Sequence, residues 1–323
     1  SSDDFIFSDI NQIGSYKFDD SFNNKHIDDV LDLDLVDVEL IKSKNFKVVL
    51  DAVNSTGGFI IPRLLDKLGV ECVKLYCEPN GQFPHNPEPL PENLYEISKK
   101  VVECQADFGI VVDPDVDRLA FVCEDGSMFG EEYTLVSVAD FVLSKKSGNS
   151  VSNLSSTRAL SDITKKYKGE YFASAVGEVN VVDMMKINNA IIGGEGNGGI
   201  IYPELHYGRD ALVGIALFLT QLAERNLSCL SLRNTYPNYF ISKNKIDLDP
   251  SINILNIFEK LDLKFSKYKT NTIDGLKIDF EEGWVHLRKS NTEPIIRVYS
   301  ESNSKINSDK MAEKFISEIK NLL

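Results

Sequence analysis

The chain is poor in the residues that anchor disulfide-stapled, membrane-spanning or nucleic-acid-binding proteins. Its 323 residues include one tryptophan, four histidines, four methionines and five cysteines. Those cysteines, Cys72, Cys77, Cys104, Cys123 and Cys229, are odd in number, and no two have the short spacing of a zinc knuckle or a redox motif. Largely apolar neighbours mark them as packing thiols of a reducing compartment. No apolar run is long enough to span a bilayer, and the opening Ser-Ser-Asp-Asp-Phe has neither the basic flank nor the apolar core of a signal peptide, so the expected location is cytoplasmic. Positive charge is scarce as well: 35 Lys and Arg stand against 49 Asp and Glu, for a net charge of −14. Such a balance excludes a global pull toward nucleic acid or anionic lipid and leaves room only for a local basic pocket.

What is present is the composition of an ordinary globular protein, 42% hydrophobic and 26% charged, in a chain long enough for two or three domains. Residues 1–45 are polar and Asp-rich, with scattered aromatics and no complete strand-helix-strand unit. From Phe46 the pattern sharpens. Apolar runs at 46–53, 71–76 and 108–112 alternate with amphipathic stretches at 60–68 and 91–104, as in a mainly parallel sheet covered by helices. A second round follows, with strands at 151–155, 171–176 and 190–192, helices at 157–167 and 179–187, and a strongly apolar helix at 211–225. The last stretch differs, because 276–280, 284–288 and 295–299 alternate like half-buried antiparallel strands and 311–323 closes as an amphipathic helix. The expected fold is therefore α/β: two related α/β/α domains at 46–146 and 147–240, then a smaller α+β domain at 241–323.

Three segments carry chemistry. In Asp113-Pro-Asp-Val-Asp-Arg118 three carboxylates at alternate positions follow one apolar run and precede another. A turn at Pro114 can fold Asp113, Asp115 and Asp117 around one point, where they repel unless a divalent cation sits among them, and oxygen-only ligands suit magnesium. A calcium loop is the rival reading, since Glu124 is twelfth from Asp113, but Arg118 occupies the sixth position where that loop turns on Gly. A solvated acidic turn is the plain alternative. The second segment, Gly193-Gly-Glu-Gly-Asn-Gly-Gly199, lets backbone approach a ligand while Glu195 and Asn197 offer hydrogen bonds suited to a polyhydroxylated molecule. It lacks the spacing of a dinucleotide fingerprint, and a purely structural turn is the competing reading. In the third, Trp284 to Tyr299, a loop between two strands offers Arg288, hydroxyls and an amide, with Arg297 beyond, a set that suits phosphate.

Together, in this order, the three segments resemble those of the α-D-phosphohexomutases, the family of phosphoglucomutase, phosphomannomutase and phosphoglucosamine mutase. The resemblance runs from about Phe46 to the C-terminus and implies a four-domain protein that moves a phosphoryl group between the 1 and 6 oxygens of a hexose or hexosamine. Mg2+ and a hexose 1,6-bisphosphate intermediate are implied with it. Carried over residue by residue, the metal loop is Asp113, Asp115 and Asp117, with Arg118 as a catalytic neighbour. Glu195 and Asn197 would hold the sugar, Asn197 standing where many relatives have Ser. Arg288, Ser290, Asn291, Thr292 and Arg297 would grip the phosphate that is not transferred, and Gly177 would help place it.

One departure is large. The family's phosphoserine loop, a Ser followed by His-Asn-Pro, is absent; Pro84-His85-Asn86-Pro87 carries Pro where the nucleophile would be. Residues 1–45 are expected to be the remnant of domain 1 and its linker, the serine belonging to a missing N-terminal domain, so this chain alone is expected to be inactive. A non-catalytic module that binds sugar phosphate and Mg2+ is one alternative, and a phosphatase with an Asp nucleophile in the 113–117 loop is another. No partner among nucleic acids or membranes is expected.

Overall fold

Residues 6–248, 252–290 and 293–322 are described by a computed structural model of the chain. Two helices, α1 (Ser21–Leu31) and α2 (Val38–Lys44), lead into strand β1 (Lys47–Asp51), helix α3 (Gly57–Lys67), strand β2 (Glu71–Leu75), helix α4 (Tyr95–Glu103) and strands β3 (Phe108–Val112) and β4 (Leu119–Cys123). The sheet order is β2-β1-β3-β4, with β1 parallel to β2 and β3 and β4 returning antiparallel. Alternate residues of β1 enter different cores. Val48 and Leu50 pack with Ile61, Leu64 and Leu65 of α3, while Val49 packs with Ile97 and Val101 of α4, so the two-residue strand period feeds both faces.

The pattern repeats. Helix α5 (Glu131–Lys145) is followed by β5 (Asn149–Asn153), α6 (Ala159–Lys166), β6 (Tyr171–Ser174), α7 (Glu178–Ile187), β7 (Ala190–Glu195), β8 (Gly199–Ile201), α8 (Ala211–Arg225) and α9 (Cys229–Arg233). This sheet, β6-β5-β7-β8, has the strand order and directions of the first. Helix α5 packs against α6, α8 and β7, so the helix that precedes residue 146 covers the second sheet.

Helix α8 explains why the two sheets act as one body. It is apolar all round, and every residue from Ala211 to Ala223 is buried, as expected of a helix enclosed on all sides. Phe218 from this helix stacks on Phe121 of β4 with ring centroids 3.8 Å apart. Helices α1 and α2 also pack on α8, and Ile27, Val30 and Ile41 join the shared core. Residues 21–44, which the sequence assigns to the end of a preceding unit, are thus built into this one.

The C-terminal unit has β9 (Phe240–Asp247), α10 (Ile254–Lys264), β10 (Lys269–Asn271), β11 (Leu276–Phe280), β12 (Gly283–Lys289), β13 (Ile295–Ser302) and α11 (Lys305–Lys320). Its antiparallel sheet, β10-β11-β12-β13-β9, has its own core around Phe258, Leu261, Val285, Val298 and Phe315. The fold class is the one expected from the sequence. Several helix limits differ: α3 begins at Gly57, three residues before the amphipathic stretch, α6 begins at Ala159, Leu94 leaves the helical region (φ −107°, ψ 23°) and separates a short 3-10 turn at Pro91–Asn93 from α4, and α11 begins six residues before Met311 because the Ser304 hydroxyl caps it.

Candidate active site

Two of the chemistry-bearing loops, those after β3 and β7, leave the C-terminal ends of parallel strands, the edge where open α/β sheets place ligands. Asp113 follows β3 directly. Val116 at the loop tip has φ 62°, unusual for a β-branched residue, and its carbonyl accepts from the Ala211 N–H at the start of α8. Asp113 is buried, and its Oδ1 accepts from the N–H groups of Asp117 (3.1 Å) and Arg118 (3.0 Å). The loop so formed brings one oxygen from each of Asp113, Asp115 and Asp117 within 4.8 Å of the others. Burial, and the neighbouring carboxylates Asp117 and Asp115, push Asp113 up to about 7 against the pull of the Arg118 N–H. Burial also raises Asp117, whose Oδ1 has no hydrogen-bond partner although it is enclosed. An orphaned carboxylate oxygen inside an all-oxygen cluster is the donor set of a hard divalent cation, and Mg2+ fits it.

Arg118 lies beside the cluster, with Nε 3.4 Å from Asp113 Oδ2 and Nη1 3.2 Å from Glu88 Oε1. Arg209 joins the cluster to the glycine-rich loop. Its fork reaches Asp117 through Nη2 and Glu195 through Nη1 (2.8 Å), while Nε lies 3.5 Å from Glu178. Gly198 adopts φ +87° in the turn from β7 to β8, and its carbonyl accepts from the Leu119 N–H, so the loops of the two sheets touch. A Cβ at that position would stand 2.1 Å from the Leu119 carbonyl oxygen.

Glu195 is buried, and its Oε1 accepts from Asn153 Nδ2 (2.8 Å) and the Gly177 N–H (3.1 Å). With Arg209 on Oε2, three of its roughly four acceptor sites meet protein, leaving about one for a ligand. Asn197 turns its Oδ1 to the Gly199 N–H. Beyond Gly177 the contacts continue, because the Val176 N–H donates to Asp274 Oδ2 (3.0 Å), and the same oxygen lies 3.7 Å from Arg288 Nη1.

In the C-terminal sheet Arg288 and Arg297 are directly opposite each other on β12 and β13. Like charges in that register repel, and the enclosed Arg297 Nε has no hydrogen-bond partner. Ser290, at the end of β12, is buried, and its N–H donates to the Ile295 carbonyl. Asn291 and Thr292 lie outside the described residues.

The structure therefore brings Asp113, Asp115, Asp117, Arg118, Gly177, Glu195 and Arg288 into one chain of contacts. Sequence reading missed the connectors Glu88, Glu178, Arg209 and Asp274. A faint signal existed for one of them: Arg209 precedes Asp210, whose side chain caps α8, so the arginine is held at a helix entrance.

Three family models match consecutive stretches: phosphoglucomutase/phosphomannomutase alpha/beta/alpha domain II at 24–126, alpha/beta/alpha domain III at 130–239, and the C-terminal domain at 257–318. The chain belongs to the phosphoglucomutase/phosphomannomutase family. It is 36% identical over 307 residues to a phosphoglucomutase/phosphomannomutase of Thermococcus kodakarensis, covering 94% of this chain and 66% of that protein. Thus the chain spans about two thirds of the length of that relative. A Burkholderia thailandensis phosphoglucomutase/phosphomannomutase family protein superposes with a TM-score of 0.77 at 29% identity, covering 88% of this chain and 63% of that one. The N-acetylphosphoglucosamine mutase of Aspergillus fumigatus, solved in complex with GlcNAc-6P and magnesium, shares the fold with a TM-score of 0.63 at 14% identity, covering 91% and 68%. No described helix is long and apolar enough to cross a membrane.

Proposed function

We propose that this chain carries the metal, sugar and phosphate sites of a phosphohexomutase that interconverts the 6- and 1-phosphates of a hexose or hexosamine through a bisphosphorylated sugar. The observation that carries the reading is the opposed pair Arg288 and Arg297, two guanidiniums in register whose repulsion an anion relieves, connected through Asp274, Gly177, Glu195 and Arg209 to the carboxylate cluster. A sugar phosphate spanning this line would have its resting phosphate on Arg288, Ser290 and Arg297, with Asn291 and Thr292 completing the loop. Asn197 and the remaining acceptor site of Glu195 would hold sugar hydroxyls.

Asp113, Asp115 and Asp117 would hold Mg2+, which when bound supplies charge neutralisation at the phosphoryl group being transferred. Arg118 adds fixed positive charge beside that group, and Arg209 favours the charged form of Asp117 against its burial and orients it. Positioning and charge neutralisation are the main requirements of phosphoryl transfer, and both come from these residues. The phosphoryl donor would be a phosphoserine on a segment N-terminal to this sequence, so the chain by itself would bind without turnover. Amino-sugar phosphate is our favoured substrate among glucose, mannose and glucosamine phosphates, on the overall resemblance to phosphoglucosamine mutases.

The test compares turnover of the three sugar 1-phosphates by this chain and by an N-terminally extended version in Mg2+. Activity confined to the extended version is expected. An extended version silent on all three sugars overturns the reading, and an aspartyl phosphate trapped within 113–117 would replace it with the phosphatase reading.

A further inference from the structure

A different cluster lies at the entrance of α8, on the wall of a cleft of about 600 Å3 lined by Asn23, His26, Phe59, Asp115, His206 and Asp210 among others. His26 Nε2 is 2.8 Å from Asp210 Oδ2, and His206 Nε2 is 3.0 Å from the same oxygen. The two rings have centroids 5.8 Å apart. Asp210 Oδ1 is committed elsewhere, accepting from the N–H groups of Leu212 (2.7 Å) and Val213 (3.3 Å). That cap locks the carboxylate and aims its second oxygen at the histidines, the kind of orientation that outer partners give metal ligands.

We propose that His26, His206 and Asp210 form a second cation site, selective for a borderline transition metal such as zinc and distinct from the all-oxygen cluster at Asp113. One ligand atom from each residue lies within 4.8 Å of the other two. Around a tetrahedral zinc with bonds of about 2.0–2.1 Å, neighbouring ligands stand roughly 3.3–3.4 Å apart. His26 thus has to withdraw from the carboxylate by about half an ångström, and His206 by about a third of one, to admit the ion. The withdrawal is small for these side chains, which are 34% and 42% exposed, while Asp210, at 6%, stays fixed. Imidazole donors favour zinc over magnesium, so the two sites sort cations by ligand chemistry.

His26 comes from α1, and His206 and Asp210 from the segment that enters α8. A bound ion would clamp the N-terminal helix to α8. Three protein ligands leave a fourth position, which opens onto the cleft that also contains Asp115.

The test uses the whole chain, stripped with a chelator and titrated with Co2+ at neutral pH in excess Mg2+ to fill the oxygen cluster. The expected result is one equivalent of cobalt with the intense visible bands of tetrahedral coordination, displaced by Zn2+. His26→Ala and His206→Ala should each lose the bands while keeping the far-ultraviolet circular dichroism of the wild type. Asp113→Asn should retain them. A wild type that takes up no cobalt, or gives only the pale octahedral spectrum, overturns the proposal whatever the variants do. Bands that persist in both histidine variants place the ion elsewhere, for instance on the cysteines, and overturn it equally.

Discussion

Arg209 touches three carboxylates on three segments, and its side chain is only 14% exposed. Removing it leaves Asp117, Glu178 and Glu195 without their common partner, and losing one side of a buried ion pair costs about 3–5 kcal/mol. Arg209→Ala is therefore expected to lower the urea midpoint markedly. Arg209→Lys, which keeps the charge without the planar fork, should recover only part of the loss. Asp117→Asn tests the cluster itself: in an N-terminally extended enzyme, turnover at saturating Mg2+ should fall by about 100-fold or more, as when one preorganised electrostatic group is removed. None of Arg209's three partnerships could be read from neighbouring residues, because Asp117, Glu178 and Glu195 lie 92, 31 and 14 positions away. The Asp113 to Asp117 spacing, in contrast, is local, and the gathering of three carboxylates around one turn was legible in it.

At the level of elements, the strand patterns read well because burial on one or both faces imposes a short period. Leu276–Phe280 occurs as a strand with the expected limits. Helices were read less well. The run Val38–Lys44 is too short to show a face, and α5 carries a continuous apolar surface whose role in covering the second sheet depends on α6, α8 and β7. The glycine-rich turn between β7 and β8 was legible as a place of close approach, but not what it approaches. Gly198→Ala would bring a Cβ against the Leu119 carbonyl in a left-handed conformation, at a cost of about 2 kcal/mol or more. Thermal denaturation should show that loss, and a variant as stable as the wild type would mean that the two loops do not depend on this contact.

For the whole molecule, the docking of the C-terminal unit includes polar contacts, one of them through a buried histidine. His286 of β12 is buried, its Nε2 directed to the Asp274 carbonyl (2.7 Å) and its Nδ1 to the Ser155 hydroxyl (2.9 Å) on the second unit. Burial lowers this imidazole from 6.5 to about 4. Between those values the unfolded chain binds the extra proton and the folded one does not, so stability falls as pH drops from about 6.5 toward 4, by up to about 3 kcal/mol. A melting series over that range should show the slope, and His286→Gln should flatten it. Glu301 of β13 adds a second bridge: it accepts from the Trp284 indole (2.7 Å) within its own sheet and from the Arg158 N–H (3.0 Å) across the boundary.

The sequence by itself determined the alternation of strands and helices, the change to an antiparallel C-terminal sheet, and the three loops with their donor types. Burial periodicity and turn chemistry act over a few residues and leave their mark there. Only the tertiary structure decided that Arg288 faces Arg297, that Arg209 joins the carboxylate cluster to the glycine-rich loop, and that His26 meets Asp210 and His206. These pairings arise from strand register and from the packing of both sheets around α8, which bring together residues whose separation along the chain carries no information about their contact.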